Sequence, residues 1–144
     1  MRVYLACTIR GDRSRLAVAR ALGSAIEAAG HELMTGRFLD DRAEDEDGRL
    51  SPNQVFERDL HWLDTCDVIV AEASGSSYGV GFEVGYVLGR ADRTGKRAIV
   101  LYDEHVGDRV SRLISGNTHP ACVTIRYRDA DDARARLAEA LAVR

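Results

Sequence analysis

The chain has 144 residues, the size of one domain, and its 45% apolar and 30% charged residues are typical of a folded globular protein rather than a disordered one. Its net charge of −3 argues against a surface that grips polymeric nucleic acid or an anionic membrane through bulk charge. No apolar run approaches the roughly 20 residues of a membrane-spanning helix. We therefore expect a single domain over residues 1–144, with neither a nucleic-acid polymer nor a membrane as partner.

The cysteine pattern bears on cellular location and on metal binding. The three cysteines are an odd number, and neither a CxxC pair nor a cluster of histidines accompanies them. This usage predicts neither a disulfide framework nor a zinc site. The first residues lead straight into a strand pattern instead of the longer apolar stretch of a signal peptide. A cytoplasmic protein without a metal is the expectation.

Short apolar runs alternate with segments of helical periodicity along the chain. The first half predicts a strand, a helix, a weak strand, a mobile acidic loop and a helix capped by Ser51-Pro52: Val3–Cys7, Ser14–Ala29, Glu32–Thr35, Gly36–Leu50 and a helix ending near Thr65. The second half predicts a strand, a small-residue loop with a helix ending near Thr94, a strand, a short helix, a strand and a closing helix: Val68–Ala71, Ser74–Gly79, Ala98–Tyr102, Arg109–Ser115, Cys122–Tyr127 and Asp131–Val143. Such alternation favours parallel pairing with helices on both faces of the sheet. The predicted fold is α/β: a three-layer, flavodoxin-like domain whose five-stranded parallel sheet has the order 2-1-3-4-5.

Ligands of such sheets bind beyond the carboxyl ends of the strands, near the switch point between the first and third strands. This rule selects two loops, Thr8–Arg13 and Ser74–Gly79. Small residues in the second loop, just before a helix, would let backbone N–H groups and the helix dipole bind a phosphate, although an ordinary turn has the same composition. Arg10, in the first loop, is either an anion ligand or a plain surface residue.

Two acidic residues are predicted near this crevice. Glu83 lies in what the pattern predicts as the first turn of a helix, where the dipole favours its ionised form; a helix-capping glutamate is the alternative. Asp59 falls within the apolar stripe of its helix, where burial is costly unless the acid is paired, protonated or open to a cleft; a partner on the first helix or a position at the rim is the alternative. Tyr4 is either a core residue or a hydroxyl that holds a carboxylate in position. Two converging carboxylates are what glycosidic-bond chemistry uses.

The combination of these segments resembles the nucleoside 2-deoxyribosyltransferase superfamily, and within it the 2'-deoxynucleoside 5'-monophosphate N-glycosidases. The likeness covers nearly the whole chain, weakens in Gly36–Leu50, and rests on three segments: Tyr4–Gly11, Asp59–Leu63 and Ser77–Gly85. It implies that Glu83 attacks the anomeric carbon to form a covalent deoxyribosyl intermediate, which water then hydrolyses with retention of configuration. It also implies that Asp59 assists departure of the base and that Tyr4 orients the nucleophile.

The same resemblance implies which residues bind substrate and phosphate: Thr8, Ile9, Arg10, Gly11, Ser77, Gly79 and Ser111. Ser111 matches a serine that reaches the phosphate from the partner subunit, and it has no obvious route to its own active site in the predicted strand order. The resemblance therefore implies a homodimer with shared active sites. It implies no metal and no organic cofactor.

The substrate is expected to be a small nucleotide, and the residues bear on its phosphate and sugar. Ser77 and Ser111 favour a 5'-phosphate. Ile9 is apolar where relatives acting on ribonucleotides resemble one another in carrying a larger aromatic side chain, which favours a 2'-deoxy sugar. Three alternatives stay open: a cytidine monophosphate N-glycosidase of a nucleoside-antibiotic pathway, a deoxyribosyltransferase acting on free nucleosides, and a nucleotide-binding module without turnover.

Overall fold

The centre of the fold is a parallel sheet, seen in a computed structural model that describes residues 1–10 and 13–143. Its strands are Arg2–Ala6 (β1), Glu32–Leu33 (β2), Val68–Glu72 (β3), Arg97–Asp103 (β4) and Cys122–Tyr127 (β5). They lie in the order β2-β1-β3-β4-β5, and every neighbouring pair is parallel. The predicted fold class and strand order are confirmed.

Helices cover both faces of the sheet. They are Leu16–Ala28 (α1), Ala43–Asp47 (α2), Pro52–Thr65 (α3), Tyr78–Leu88 (α4), Ala91–Thr94 (α5), Arg112–Ser115 (α6) and Ala130–Ala142 (α7). Successive side chains of a strand point to opposite faces. Val3 and Leu5 therefore pack with α1 and α7, whereas Tyr4 and Ala6 pack with α3 and α4. Across the described ranges, no helix combines the length and apolar character needed to span a membrane.

The start of α3 follows the predicted cap. The Ser51 hydroxyl accepts a hydrogen bond from the Gln54 backbone N–H, and the Gln54 side chain accepts one from the Ser51 N–H at 2.9 Å. Pro52 occupies the first helical position, where a missing N–H costs nothing. This reciprocal capping box fixes where α3 begins, and so it fixes which residues of α3 face the neighbouring helix α4.

The prediction of a loop over residues 36–50 is wrong. This acidic segment contains a 3₁₀ turn, Gly36–Leu39, followed by α2, and the side chain of Phe38 is buried beneath it. Arginines from outside the segment hold its backbone. Arg13 donates to the carbonyl of Phe38 at 2.8 Å, and Arg20 donates to the next carbonyl at 2.9 Å. Charged side chains thus replace the apolar periodicity that the sequence lacks here.

α1 and α7 lie within two residues of their predicted bounds, whereas two other helices differ by more. The helix expected to reach Thr94 ends at Leu88, with Gly89 as its C-cap, and the chain resumes as α5 after Arg90. The short helix predicted from Arg109 begins at Arg112, after a 3₁₀ turn over Glu104–Arg109. Both differences lie at the edges of the elements and leave the order of the sheet unchanged.

Candidate active site

A cleft of about 340 Å³ lies between α3 and α4. Apolar side chains line most of it, among them Val55, Phe56 and Phe82. Asp59 from α3 and Glu83 from α4 also line this cleft. The two carboxylates predicted from the sequence therefore share one cleft, whose other lining side chains are mostly apolar.

Tyr4 reaches Glu83 from β1, beneath the cleft. Its side chain is fully buried, and its hydroxyl donates a hydrogen bond to Glu83 Oε1 at 2.6 Å. Burial raises the pKa of Glu83 to about 7, an effect that the hydrogen bond from Tyr4 opposes and the charge of Asp59 increases. Near neutral pH, Glu83 is consequently divided between its protonated and ionised forms.

The expected position of Glu83 in its helix is wrong. Because α4 begins at Tyr78, Glu83 lies in the second turn and not in the first. The favourable effect of a helix dipole on an anion fades beyond the first turn. Desolvation therefore outweighs the dipole, and the pKa of Glu83 moves upward where the sequence analysis expected the ionised form to be favoured.

Asp59 has its ion-pair partner on its own helix. Arg58 Nε donates to Asp59 Oδ1 at 2.8 Å, so the pairing with the first helix that the sequence left open is not observed among the described residues. Burial raises the pKa of Asp59, whereas the hydrogen bond and positive charge of Arg58 oppose that rise. Sequence reasoning missed Arg58, although its spacing of four residues from Trp62 on α3 was a usable signal.

A second cavity, of about 710 Å³, adjoins the first at the start of α4, and Tyr78 lines both. Ser77 caps α4, because its Oγ accepts a hydrogen bond from the Val80 N–H at 3.3 Å. This bond occupies a lone pair and leaves the hydroxyl proton of Ser77 for a ligand. Gly79 follows in the first turn, lines the Asp59–Glu83 cleft, and carries no side chain that would block access.

Ser111 lines the second cavity as well, together with Ser77 of the same chain. The expectation that Ser111 has no route to its own site is therefore wrong. The 3₁₀ turn after β4 brings the start of α6 back beside the start of α4, a path that strand order alone does not reveal. One chain thus supplies both serines to one cavity.

The loop after β1 approaches the same edge of the sheet. Thr8 lies against the loop after β3, since a Cβ on Gly75 would be 3.6 Å from Thr8 Oγ1. Ile9 is half-buried and packs on the side of α3 and α4. Arg10 is exposed, and its guanidinium lies near Gly48 at the end of α2. Gly11, the remaining predicted binding residue, lies outside the described residues.

The donor set of the site suits acid–base and nucleophilic chemistry. Within residues 1–10 and 13–143, no group of three or more His, Cys, Asp or Glu side chains is arranged to hold a metal ion. The cleft instead presents one carboxylate oriented by a phenol, Glu83, and one paired with a guanidinium, Asp59. A nucleophile and a proton donor acting on one bond need such a pair.

Comparisons with known proteins agree on the family. Residues 3–109 match the nucleoside 2-deoxyribosyltransferase family. A Thermofilum pendens protein, named as a candidate 2'-deoxynucleoside 5'-phosphate N-hydrolase 1, is 42% identical over 137 residues, which cover 95% of this chain and 92% of that one. The 5-hydroxymethyl-dUMP N-hydrolase of Danio rerio is 34% identical over 119 residues, which cover 81% of this chain and 78% of that one.

A solved structure supports the same fold. The CMP N-glycosidase of Clostridium botulinum superposes with a TM-score of 0.70 at 22% identity, over 95% of this chain and 97% of that one. Likeness at this level of identity bears on the fold alone. The assignment to a family rests on the two relatives described above and on the family match over residues 3–109. The chain belongs to the nucleoside 2-deoxyribosyltransferase family.

Proposed function

We propose that this protein hydrolyses the N-glycosidic bond of 2'-deoxynucleoside 5'-monophosphates to give the free base and 2-deoxyribose 5-phosphate. The observation that carries the proposal is the cleft that holds Asp59 and Glu83 together beside a cavity lined by serine hydroxyls. The names of the relatives from Thermofilum pendens and Danio rerio, both N-hydrolases, support the same reaction class.

In the first step, a Glu83 carboxylate oxygen attacks the anomeric carbon of the sugar. A bond forms between that oxygen and carbon, the bond from carbon to the base nitrogen breaks, and its electron pair leaves with the base. Asp59 gives its proton to the departing base, which would otherwise leave as an anion. Tyr4 holds the attacking carboxylate through the 2.6 Å hydrogen bond to Oε1.

In the second step, water replaces the enzyme on the same carbon. Asp59, now ionised, takes a proton from the water molecule as its oxygen bonds to the anomeric carbon. The ester bond to Glu83 breaks, and its electron pair returns to the carboxylate. Two displacements on one carbon retain the configuration of the sugar. Glu83 and Asp59 are then back in their starting states.

The reactive state needs an ionised Glu83 and a protonated Asp59. Burial raises the pKa of Glu83 to about 7, an effect to which the negative charge of Asp59 adds, and burial also raises the pKa of Asp59. The singly protonated pair is the active species, and its population rises and falls as a bell with two apparent pKa values that belong to the pair. We therefore expect a bell-shaped dependence of activity on pH.

The phosphate and the sugar are recognised at the edges of the cleft. In this proposal Ser77 and Ser111 donate hydroxyl protons to the 5'-phosphate, and the N-terminus of α4 adds its backbone N–H groups through Gly79. The exposed guanidinium of Arg10 supplies a positive charge. Ile9 is half-buried on the side of α3 and α4, and its apolar side chain, in place of the larger aromatic of relatives that act on ribonucleotides, supports the 2'-deoxy sugar.

A substrate panel tests the reaction. Each common nucleoside and deoxynucleoside 5'-monophosphate is incubated with the protein, and the free base is measured by chromatography. We expect base release from one or more deoxynucleotides and its loss in Glu83→Ala, with Glu57→Ala, an exposed glutamate on α3, as matched control. Full activity of Glu83→Ala would remove the nucleophile assignment. In methanol, retention predicts a methyl glycoside with the configuration of the substrate.

The alternatives predict other outcomes of the same panel. Product formed only after addition of an acceptor base would indicate transfer between free nucleosides. Release from cytidine monophosphate but not from its deoxy form would indicate a ribonucleotide N-glycosidase. Tight binding in calorimetry without any release of base would indicate a binding module. Indifference to Ser77→Ala would separate free nucleosides from nucleotides, since only nucleotides carry the phosphate.

A homodimer is part of the proposal. Tyr78 is 99% exposed and Leu113 is 86% exposed, and both line the cavity that holds Ser77 and Ser111. Apolar side chains so exposed at the mouth of a polar cavity are suited to cover by a second copy. Light scattering is expected to give twice the chain mass, and Leu113→Asp is expected to lower it. A cytoplasmic location, predicted from the cysteines, agrees with a nucleotide substrate.

A further inference from the structure

Arg58 is enclosed on four sides. Its side chain is only 14% exposed, and its guanidinium donates to Asp59 Oδ1 at 2.8 Å and to Asp47 Oδ1 at 2.7 Å. The central carbon of the guanidinium lies 5.3 Å from the ring centre of Phe38 and 5.1 Å from that of Trp62. Two carboxylates and two aromatic rings therefore fix one cation beside the candidate acid of the cleft.

Such an arrangement is a costly way to hold a structure together. Removing charged groups from water costs several kcal/mol per ion, and well-packed apolar residues often do as well or better. The side chains of Asp47 and Asp59 are 9% and 19% exposed, so both carboxylates and the Arg58 guanidinium are largely removed from water. Arg58 also keeps a buried donor, Nη2, without a partner among the described residues. Stability alone gives this network little reason to exist.

We propose that Arg58 is a positioning residue of this enzyme: its rigid fork holds the Asp59 carboxylate in the cleft and joins it to Asp47 in the segment beside the site. The inference deepens the proposed function and rests on it for the role of Asp59. Arg58 acts through Asp59 and touches no substrate. Its planar donors reach two carboxylates at once, which a lysine ammonium on a flexible stem does not do equally well.

Asp47 makes the acidic segment, residues 36–50, part of the catalytic arrangement. This residue ends α2, and the 3₁₀ turn of the same segment supplies Phe38, whose ring lies against the Arg58 guanidinium. The segment is itself anchored at the other end, because Arg13 donates to the carbonyl of Phe38 at 2.8 Å. A displacement of the segment would therefore withdraw Asp47 from Arg58 and alter the setting of Asp59.

The charges around Asp59 come from several elements. Its neighbours are Arg58 on α3, Asp47 on α2, Arg37 in the 3₁₀ turn, Glu83 on α4 and the Tyr4 hydroxyl on β1. The positive charge of Arg58 lowers the pKa of Asp59, and the negative charge of Asp47 raises it. Removing one of these partners and removing the other should therefore move the titration of Asp59 in opposite directions.

The test uses these opposite effects of Arg58 and Asp47 on the pKa of Asp59. In Arg58→Gln, the pH profile of kcat should move upward by about one pH unit, and kcat should fall about tenfold or more as Asp59 loses its orientation. In the isosteric Asp47→Asn, the profile should move downward by about half a unit. Arg58→Lys keeps the charge but not the fork, so its profile should stay near that of the wild type while kcat falls about tenfold.

The matched control is Arg20→Gln. Arg20 also holds the acidic segment, through a hydrogen bond to the Leu39 carbonyl and an ion pair with Asp41, and both lie away from Asp59. Its loss should leave the position of the profile unchanged. If Arg58→Gln and Asp47→Asn shift the profile in the same direction, or if both behave like Arg20→Gln, the positioning role is overturned.

A second measurement does not depend on substrate. The Asp59 carboxyl carbon, labelled with ¹³C and assigned by its absence in Asp59→Asn, is titrated by NMR in each variant. A rise of its midpoint in Arg58→Gln together with a fall in Asp47→Asn supports the inference, and an unchanged midpoint in both contradicts it. A wild type that hydrolyses no nucleotide defeats the proposed function, while the titration still decides whether Arg58 and Asp47 control Asp59.

Discussion

Replacing Glu83 with glutamine should stabilise the protein above neutral pH while abolishing its hydrolytic activity. Burial raises the pKa of Glu83 from 4.5 to about 7, so the folded protein binds this proton more tightly than the unfolded chain does. The stability that follows is fully present below pH 4.5 and is lost as the pH rises through about 7. Glutamine is neutral at every pH, so the variant does not lose this stability as the pH rises.

The size of the effect follows from the size of the pKa change. One pKa unit corresponds to about 1.4 kcal/mol, so a rise from 4.5 to about 7 corresponds to about 3 kcal/mol. The free energy of unfolding of Glu83→Gln, relative to the wild type, should therefore increase by about 3 kcal/mol between about pH 4.5 and about pH 8. Tyr4 can still donate its hydrogen bond to the amide oxygen, so that contact is retained.

Urea unfolding at a series of pH values measures this difference. The single tryptophan, Trp62, lies half-buried on α3 and gives a fluorescence signal in both proteins. Groups that titrate equally in both proteins cancel when the two curves are subtracted. Glu57→Gln makes the same substitution at an exposed position of α3 and is the matched control. A difference between Glu83→Gln and the wild type that does not vary with pH would refute the claim that Glu83 is held at a raised pKa by burial.

Three further variants test other contacts. Tyr4→Phe removes the hydrogen bond that lowers the pKa of Glu83, so that pKa should rise above about 7 and the acid limb of kcat/KM should move to higher pH in steady-state assays. Ser51→Ala removes the cap of α3 and should lower the free energy of unfolding by about 1 kcal/mol in urea titrations, against Asn53→Ala as control. Leu22→Ala empties a fully buried position between α1 and the sheet and should cost about 3 kcal/mol by the same measurement.

Local signals in the sequence were enough for most of the framework. The buried strand β3 is apolar from Val68 to Ala71, and Ser51-Pro52 marks the start of α3 to the residue. Alternation of strands and helices then restricts the topology, because parallel pairs require right-handed crossovers. These features depend on neighbours within a few residues, which is the information that a single sequence carries most clearly.

The acidic segment could not be predicted in this way because what orders it lies elsewhere in the chain. Arg13 and Arg20, from the start of α1, bond its carbonyls, and Arg58, from α3, pairs with Asp47. None of these contacts leaves a periodic pattern within residues 36–50. A charged run predicts a solvated loop unless the positions of the residues that pair with it are known.

In the candidate site, too, some features could be predicted from the sequence and others could not. Asp59, Glu83 and Tyr4 come together beside one of the two loops that the switch-point rule selects, since Tyr78 and Gly79 at its end line the Asp59–Glu83 cleft. The pKa of Glu83 was expected to be lowered by the helix dipole. The helix begins about two residues earlier than predicted, at Tyr78, which places Glu83 in the second turn, where desolvation outweighs the dipole and raises the pKa. The path that brings Ser111 beside Ser77 depends on an irregular turn, which no pattern in the sequence predicts.

Arginine chemistry connects the composition to the site. All but one of the 20 basic residues are arginines, and several of them hold the acidic segment, residues 36–50, which lacks an apolar periodicity. A guanidinium has five donors in a rigid plane, so Arg13 donates to three backbone carbonyls, those of Phe38, Asp40 and Asp41. Arg58 binds two carboxylates with the same geometry. Lysine has no such fork, so an equal number of lysines would leave both the segment and Asp59 less firmly placed.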